Sequence, residues 1–583
     1  MVIKDQNYTK KLYWSFVILY FTLTVIMRLT LLNWELPYHS LDENDVVDPA
    51  LAFLSGDWEP GWYKYGPLFS YLLAFVYKIW MWTAGVTLGW SESDFFYAAF
   101  FEPTSFYVLA RAFHSLIIVG IAGVSFLFAR RHFDPLTSVA ALILGLAPFL
   151  GRNTDFTVRI DTLQGLFSLL SLFFAVQFGK DRIPLRPYII SGLFAGFSIA
   201  TKPIPGLMLL PALVFGHFLS VWPESTHSVI KKIKFAVTQP GLWILACSVI
   251  LAHALANPYS VINFKAFLLE QYDVIFLGHG QDGTLAGYDF SWLVSKWGWP
   301  MVIAVVLALL TAWRRSDNAS RILLVYIATF VGVFLAFKTR KYWYNSIFPA
   351  VILLVAIYVS NVSQSVAKYI SDLWKTDFLK ENNIHVRQVA IMIFLAIVLV
   401  FPSWWTTGYQ AHANWFSPEP PLEKRPDRKA QLWIESNLPD HSPVLLIGWP
   451  SSSLPRIVAD TPDTQTVWSD HFDYGRDENL LWRKKFLNAY AHMQQTDRPV
   501  YKLANIHLHY NDDHPDPALN SLLREYLSDF ARLNNYKYIV TASPDEFKGT
   551  WEQDARVRLV ASYDGYVRNK KKEIEVKIFE VLQ

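Results

Sequence analysis

The chain has 583 residues, of which 52% are hydrophobic, 16% aromatic and only 17% charged. An ordinary soluble domain is about 25% charged, and a large soluble enzyme rarely has this composition. A net charge of +3 is too small to argue for nucleic acid, and the single cysteine, Cys247, excludes a disulfide framework or a thiolate metal site.

In chain order, Lys4, Lys10 and Lys11 precede an apolar run with no small-residue cleavage site, the pattern of an uncleaved signal-anchor helix. A spanning helix needs about 20 mostly apolar residues. Candidate spans occupy Leu12–Leu32, Thr104–Phe128, Leu136–Leu150, Leu163–Gly179, Tyr188–Ala200, Ile204–Trp222, Gly241–Ala256, Trp292–Trp313, Ile322–Phe337, Ile347–Val362 and Val389–Trp405. The run Pro67–Val86 is also apolar but holds Lys78 and many aromatic residues. Reading it as an interfacial helix puts Arg130/Arg131, Lys180/Arg182/Arg186, Lys231/Lys232/Lys234, Arg314/Arg315/Arg321 and the cluster Lys368–Arg387 on the cytoplasmic side with the N-terminus, as cytoplasmic loops collect Lys and Arg. The expectation is a mostly α polytopic bundle of about 11 transmembrane helices over residues 1–405, with an outer loop at 33–103. The N-terminus is cytoplasmic, in a plasma membrane.

Outward loops then carry charge beside helix ends: Asp42/Glu43/Asp45/Asp48, Arg152/Asp155/Arg159/Asp161, Lys202 and Lys338/Arg340/Lys341. Ionisable groups at membrane depth are costly and point to function. A polyprenyl-phosphate donor needs an apolar groove for its tail and cations such as Lys202, Arg340 and Lys341 for its phosphate. A hydroxyl acceptor needs a carboxylate base. Plainer readings stand beside these. Asp42 and Glu43 suit the first turn of a surface helix, Asp161 could pair with Arg159, and Lys202 before Pro203 could only mark a helix end.

The stretch Leu41-Asp42-Glu43 … Ser55-Gly56-Asp57-Trp58-Glu59-Pro60 … Tyr65-Gly66-Pro67-Leu68 resembles the first outer loop of the type C glycosyltransferases, in the branch of protein O-mannosyltransferases and lipid A aminoarabinose transferases. Arg159-Ile160-Asp161-Thr162-Leu163, Ala200-Thr201-Lys202, Asn257-Pro258-Tyr259 with His279, and Lys338-Thr339-Arg340-Lys341-Tyr342 … Phe348-Pro349 resemble later elements of that family in order. The resemblance implies Asp42 as catalytic base with Glu43 in support, Asp161 as second carboxylate, and Lys202, Arg340 and Lys341 as donor-phosphate ligands. Arg159, His279 and Lys64 are further candidates. The sequence departs from the family where many relatives have a lysine directly before the proline: Gly66 stands there, and the nearest lysine is Lys64. His279, between two glycines, suits a mobile loop as well as a site.

From Lys424 onward the pattern reads as a small extracytoplasmic α/β domain, 424–583. Arg428–Asn437 and Ser521–Leu533 are predicted helices; Val444–Ile447, Tyr538–Thr541, Leu559–Tyr563 and Glu573–Val581 are predicted strands. The motif Arg428-Lys429-Ala430-Gln431-Leu432-Trp433 resembles the family's start of this domain. His507, His509 and His514 lie in a polar loop and are not assigned to a metal. The outer carboxylates could hold a divalent cation, but their spacing fixes no geometry, and no cofactor is assigned. The expected activity is a hexosyl- or pentosyltransferase moving sugar from a polyprenyl-phosphate donor to a protein, lipid or glycan hydroxyl at the outer face. The rivals are a polytopic transporter or lipid flippase, and an inactive scaffold.

Overall fold

In the computed structural model the described residues are, in the main, 2–32, 41–54, 63–95, 104–147, 157–179, 185–221, 229–272, 290–337, 345–373, 387–402, 426–437, 443–448, 502–506, 528–543, 554–567 and 572–582, with a few positions inside these ranges, such as Lys64, excepted. The chain divides into two compact units. One comprises Met1–Leu32, Trp62–Tyr71 and Ala110–Ala411; the other comprises Asn33–Gly61, Leu72–Leu109 and His412–Gln583.

The helices run α1 (Val2–Thr30), α2 (Leu41–Leu54), α3 (Leu68–Leu88), α4 (Thr104–His132), α5 (Pro135–Leu146), α6 (Ile160–Ala175), α7 (Leu185–Thr201), α8 (Pro203–Leu207), α9 (Leu210–Val221), α10 (Val229–Thr238), α11 (Pro240–Ala256), α12 (Tyr259–Ile262), α13 (Phe264–Tyr272), α14 (Phe290–Arg314), α15 (Asn318–Phe337) and α16 (Phe348–Leu373). A further apolar helix, α17, spans Arg387–Pro402, and α18 spans Pro426–Asn437.

The chain is a multi-pass membrane protein, but the expected eleven spans are corrected. Among the described residues five helices are long and apolar enough to cross a membrane: Leu68–Leu88, Thr104–His132, Pro203–Val221, Trp297–Arg314 and Phe348–Ile370. A sixth counts if α10 and α11, bent by 53°, form one broken span. The apolar runs overstate helix length because local signals cut the helices short. Asp134 caps α5, accepting from the Thr137 N–H at 2.9 Å, Pro135 takes the first turn, and the chain turns extended at Ala147. Those 12 residues reach about 18 Å, short of a hydrocarbon core of about 30 Å. The run Pro67–Val86, read as interfacial from charge asymmetry, supplies one of these five helices. Leu68–Leu88 is a continuous 21-residue helix apolar enough to cross, its one lysine notwithstanding.

In the first unit α16 is the central element. Ala350 through Ile357 are all buried, and the helix packs on α5 and α14. α14 breaks at Gly298, where φ is +76° and a Cβ would stand 3.2 Å from Pro402; only glycine takes that backbone without strain. α6, α7 and α11 form a tight layer, small residues of α7 meeting Ser248 and Ala252 of α11.

In the second unit Trp80, Phe95 and Phe106 form an aromatic cluster with centroids 4.5–5.3 Å apart. The Tyr77 hydroxyl donates to the Phe106 carbonyl at 2.9 Å. An open five-stranded sheet comprises β1 (Pro443–Gly448), β2 (Lys502–Ile506), β3 (Tyr538–Ser543), β4 (Val557–Val567) and β5 (Lys572–Val581), in the order β2-β1-β3-β5-β4. β1 is parallel to β2 and β3, whereas β5 is antiparallel to β3 and β4, with a register shift at Leu559/Ala561. α18 packs on β4 and β5, and Trp433 meets Tyr538 edge-on at 6.1 Å. Of the predicted helix Ser521–Leu533, residues 528, 529, 531 and 532 are helical and the others lie outside the described residues.

Candidate functional site

The local sequence explains where the charges sit. Pro203 disfavours helical backbone at the residue before it, so α7 ends and Lys202 takes φ −148°, ψ 102°. Asp161 occupies the first turn of α6, where a carboxylate is favoured by the helix dipole. The two meet: Lys202 Nζ donates to Asp161 Oδ1 at 2.5 Å, with side-chain exposures of only 5% and 6%. The Ser346 hydroxyl reaches the same oxygen at 3.4 Å.

Tyr65 covers the pair, its ring centroid 5.3 Å from Lys202 Nζ, within cation–π range. The segment around Tyr65 is fastened at both ends. Gly66 N–H donates to the Thr201 carbonyl at 3.1 Å, and a Cβ on Gly66 would lie 1.7 Å from the Ala200 carbonyl oxygen. That approach requires glycine at this position: no side chain fits. Tyr63 donates its N–H to Glu270 at 2.7 Å and accepts from Asn263 and Gln271, each at 2.6 Å.

A polar seam continues from the pair between α6 and α7. Gln164 Nε2 donates to Ser168 at 2.8 Å and Ser198 at 2.9 Å, and the Ser171 hydroxyl donates to the Ser191 carbonyl at 2.9 Å. Beside it lies a buried basic layer. His114 Nε2 is 2.8 Å from the Thr162 hydroxyl and sits in the field of Arg28, Arg159 and Arg111, all three buried. Arg111 also donates to the Leu32 carbonyl at 3.1 Å.

Of the predicted site residues, the structure brings together Asp161 and Lys202, with buried Arg159 two positions before Asp161. Asp42 and Glu43 lie in the first turn of α2, in the other unit; Glu43 is buried, and the Asp42 side chain is outside the described residues. Lys64, His279, Arg340 and Lys341 lie outside the described residues, as do His507, His509 and His514. Among the described residues no cluster of three His, Cys, Asp or Glu forms a metal site. The sequence reading missed Tyr65, Ser346, Gln164 and the layer Arg28–Arg111–His114. Arg28 and Arg111 carried a usable signal, a full charge inside an apolar run.

Comparison with known proteins bears on the fold. A family model described as dolichyl-phosphate-mannose-protein mannosyltransferase matches residues 96–253. No curated protein matches the chain. Among solved structures, ArnT from Cupriavidus metallidurans bound to undecaprenyl phosphate aligns over 97% of this chain and 98% of its own, at 12% identity and a TM-score of 0.53. The chain shares the fold of that ArnT. The apo state of the same ArnT aligns over the same shares, at 13% identity and a TM-score of 0.52. The Asp161–Lys202 pair lies where the start of α6 meets the end of α7.

Proposed function

We propose that this protein transfers a sugar from a polyprenyl-phosphate donor to a hydroxyl acceptor at the outer face of the membrane. The branch is that of protein O-mannosyl and lipid A aminoarabinose transfer. The observation that carries the reading is the buried Asp161–Lys202 pair under Tyr65, in a chain whose fold is shared with an enzyme solved bound to undecaprenyl phosphate. Asp161 fixes the position of the Lys202 ammonium, and an ammonium is the donor type that an anionic headgroup takes.

In the proposed step the acceptor oxygen attacks the anomeric carbon and Asp42 takes its proton, with Glu43 in support. The bond from that carbon to the phosphate oxygen breaks, and polyprenyl phosphate leaves with the electron pair. Attack opposite the leaving group inverts the anomeric configuration. Lys202, Arg340 and Lys341 stabilise the charge growing on the leaving phosphate. The N-terminus is cytoplasmic in this reading, and the domain 424–583 faces outward to frame the acceptor side.

The test is transfer by purified protein supplied with polyprenyl-phosphate sugars and membrane extract as acceptor, read by mass spectrometry. Product is expected with the lipid-linked donor, and Asp42→Asn should lower kcat by about 10²–10⁴-fold while leaving donor binding intact. Transfer from a nucleotide sugar alone would overturn the donor class, and near-normal turnover by Asp42→Asn would overturn the base.

A further inference from the structure

The helix α10, Val229–Thr238, is not used by the proposed chemistry. Its sequence, Val-Ile-Lys-Lys-Ile-Lys-Phe-Ala-Val-Thr, is amphipathic. At about 100° per residue, Ala236, Val229, Ile233, Val237 and Ile230 fall within an arc of about 120°, and the three lysines, with Phe235 among them, lie outside it. Of these apolar residues only Ala236 is buried; its carbonyl accepts from His217 Nε2 of α9 at 2.9 Å. Ile230 is 78% exposed and Val229 60%, so the described residues do not cover the apolar face.

What adjoins the helix identifies what does. The break at Gln239–Pro240 turns the chain by 53° into α11, an apolar helix. Trp243 stands at that bend, 60% exposed, its indole N–H donating to the Val237 carbonyl at 3.0 Å. Tryptophan at the end of an apolar helix favours the headgroup level of a bilayer. Between Val229 and Ala256 there are three lysines and no carboxylate.

From this placement we propose that α10 lies in the membrane interface and forms a binding site for anionic lipid headgroups, with Lys231, Lys232 and Lys234 as their partners. The apolar face enters the headgroup–acyl boundary and the lysines stay at the level of the phosphates. The occupant is lipid and not a partner protein, because α10 leads directly into the apolar helix α11 with an exposed tryptophan at the bend, and the segment carries lysines and no carboxylate.

The test uses the full-length protein in phosphatidylcholine vesicles containing a minor fraction of nitroxide-labelled phosphatidylglycerol or nitroxide-labelled phosphatidylcholine. Bimane is attached at Ile230→Cys after Cys247, which is exposed, is changed to Ser. Both labelled lipids should quench the probe, and phosphatidylglycerol should do so at a concentration at least about fivefold lower. Lys231→Gln/Lys232→Gln/Lys234→Gln should bring the two lipids within about twofold while both still quench. In the protein with its lysines intact, high salt should shrink the preference as well, which keeps the test independent of how the triple variant folds. Equal quenching by the two lipids, or a preference unmoved by salt, would overturn the headgroup site. No quenching by either lipid would overturn the interfacial placement and point to a protein partner instead.

Discussion

Separating the two charges of the site makes the sharpest test of its geometry. Asp161 and Lys202 are 2.5 Å apart with side chains about nineteen-twentieths buried, and removing one member of such a pair typically costs about 3–5 kcal/mol. Asp161→Asn retains an acceptor for the ammonium, which puts it near about 3 kcal/mol. Lys202→Met leaves the carboxylate with only the long Ser346 contact and should cost nearer 5 kcal/mol, including about 1 kcal/mol for the Tyr65 contact. The double variant buries no charge, so its cost should be only about 1–2 kcal/mol of lost hydrogen bonding and packing. The cycle therefore predicts a coupling of about 6 kcal/mol. Unfolding of the purified full-length protein by SDS titration, followed by circular dichroism, measures all four proteins. Single-variant costs that add to the double-variant cost within about 0.5 kcal/mol would show that the pair is not made. Sugar transfer read in parallel separates stability from chemistry: the double variant should be nearly as stable as the parent yet lack transfer.

Two further predictions concern other parts of the chain. Gly66→Ala drives a Cβ into the Ala200 carbonyl oxygen at 1.7 Å, backbone against a backbone neighbour that no rotamer relieves; it should cost at least about 3 kcal/mol by the same titration, and an unchanged midpoint would refute the docking of this segment. In the sheet-containing unit, burial pushes the Asp554 carboxyl up, but hydrogen bonds from Arg556 and Ser528 outweigh it and hold the group below its ordinary value of 3.8. A lowered carboxylate stabilises the fold above its unfolded value and loses that contribution as pH falls through the folded one, so β4 and β5 should become open to pepsin only below that ordinary range. Asp554→Asn should cost about 1–3 kcal/mol at neutral pH, seen as faster hydrogen exchange in those strands; exchange identical to the parent would refute it.

Much of the candidate site could be read one residue at a time. Asp161 and Lys202 each stood out as a charge hard against an apolar run, which is costly without a reason. Their meeting could not be read, because they lie 41 residues apart and nothing in either motif names the other. Tyr65 stood in a motif but gave no signal of its contact with Lys202, since a tyrosine near a membrane surface is ordinary; its role follows from Gly66 fitting against Ala200. Hydropathy placed the apolar helices but overcounted the spans, because an apolar run does not show where a cap or proline stops the helix, although Asp134-Pro135 was there to be read. β2, Lys502–Ile506, was missed for a different reason. Its five residues show no two-residue alternation, and the segment is held by parallel backbone pairing to β1.

The site's position follows from the way α6 and α7 pack. Asp161 with Lys202, Gln164 with Ser198, and Ser171 with Ser191 pair in opposite chain directions, so the two helices are antiparallel. The positive N-terminal end of α6 therefore lies beside the negative C-terminal end of α7. Asp161 sits at the first and Lys202 at the second, each where the helix dipole favours its charge. The ion pair thus completes an electrostatic match that the backbones have already begun, which lowers the cost of holding two charges in apolar surroundings. Register is what the arrangement cannot lose. A slip of one helical turn would move Lys202 about 5.4 Å from its partner and leave Gln164, Ser168 and Ser198 facing apolar side chains. The hydroxyl and amide seam penalises every such slip, so polar residues deep in the bundle, remote from any substrate, hold the charged pair at its end in place.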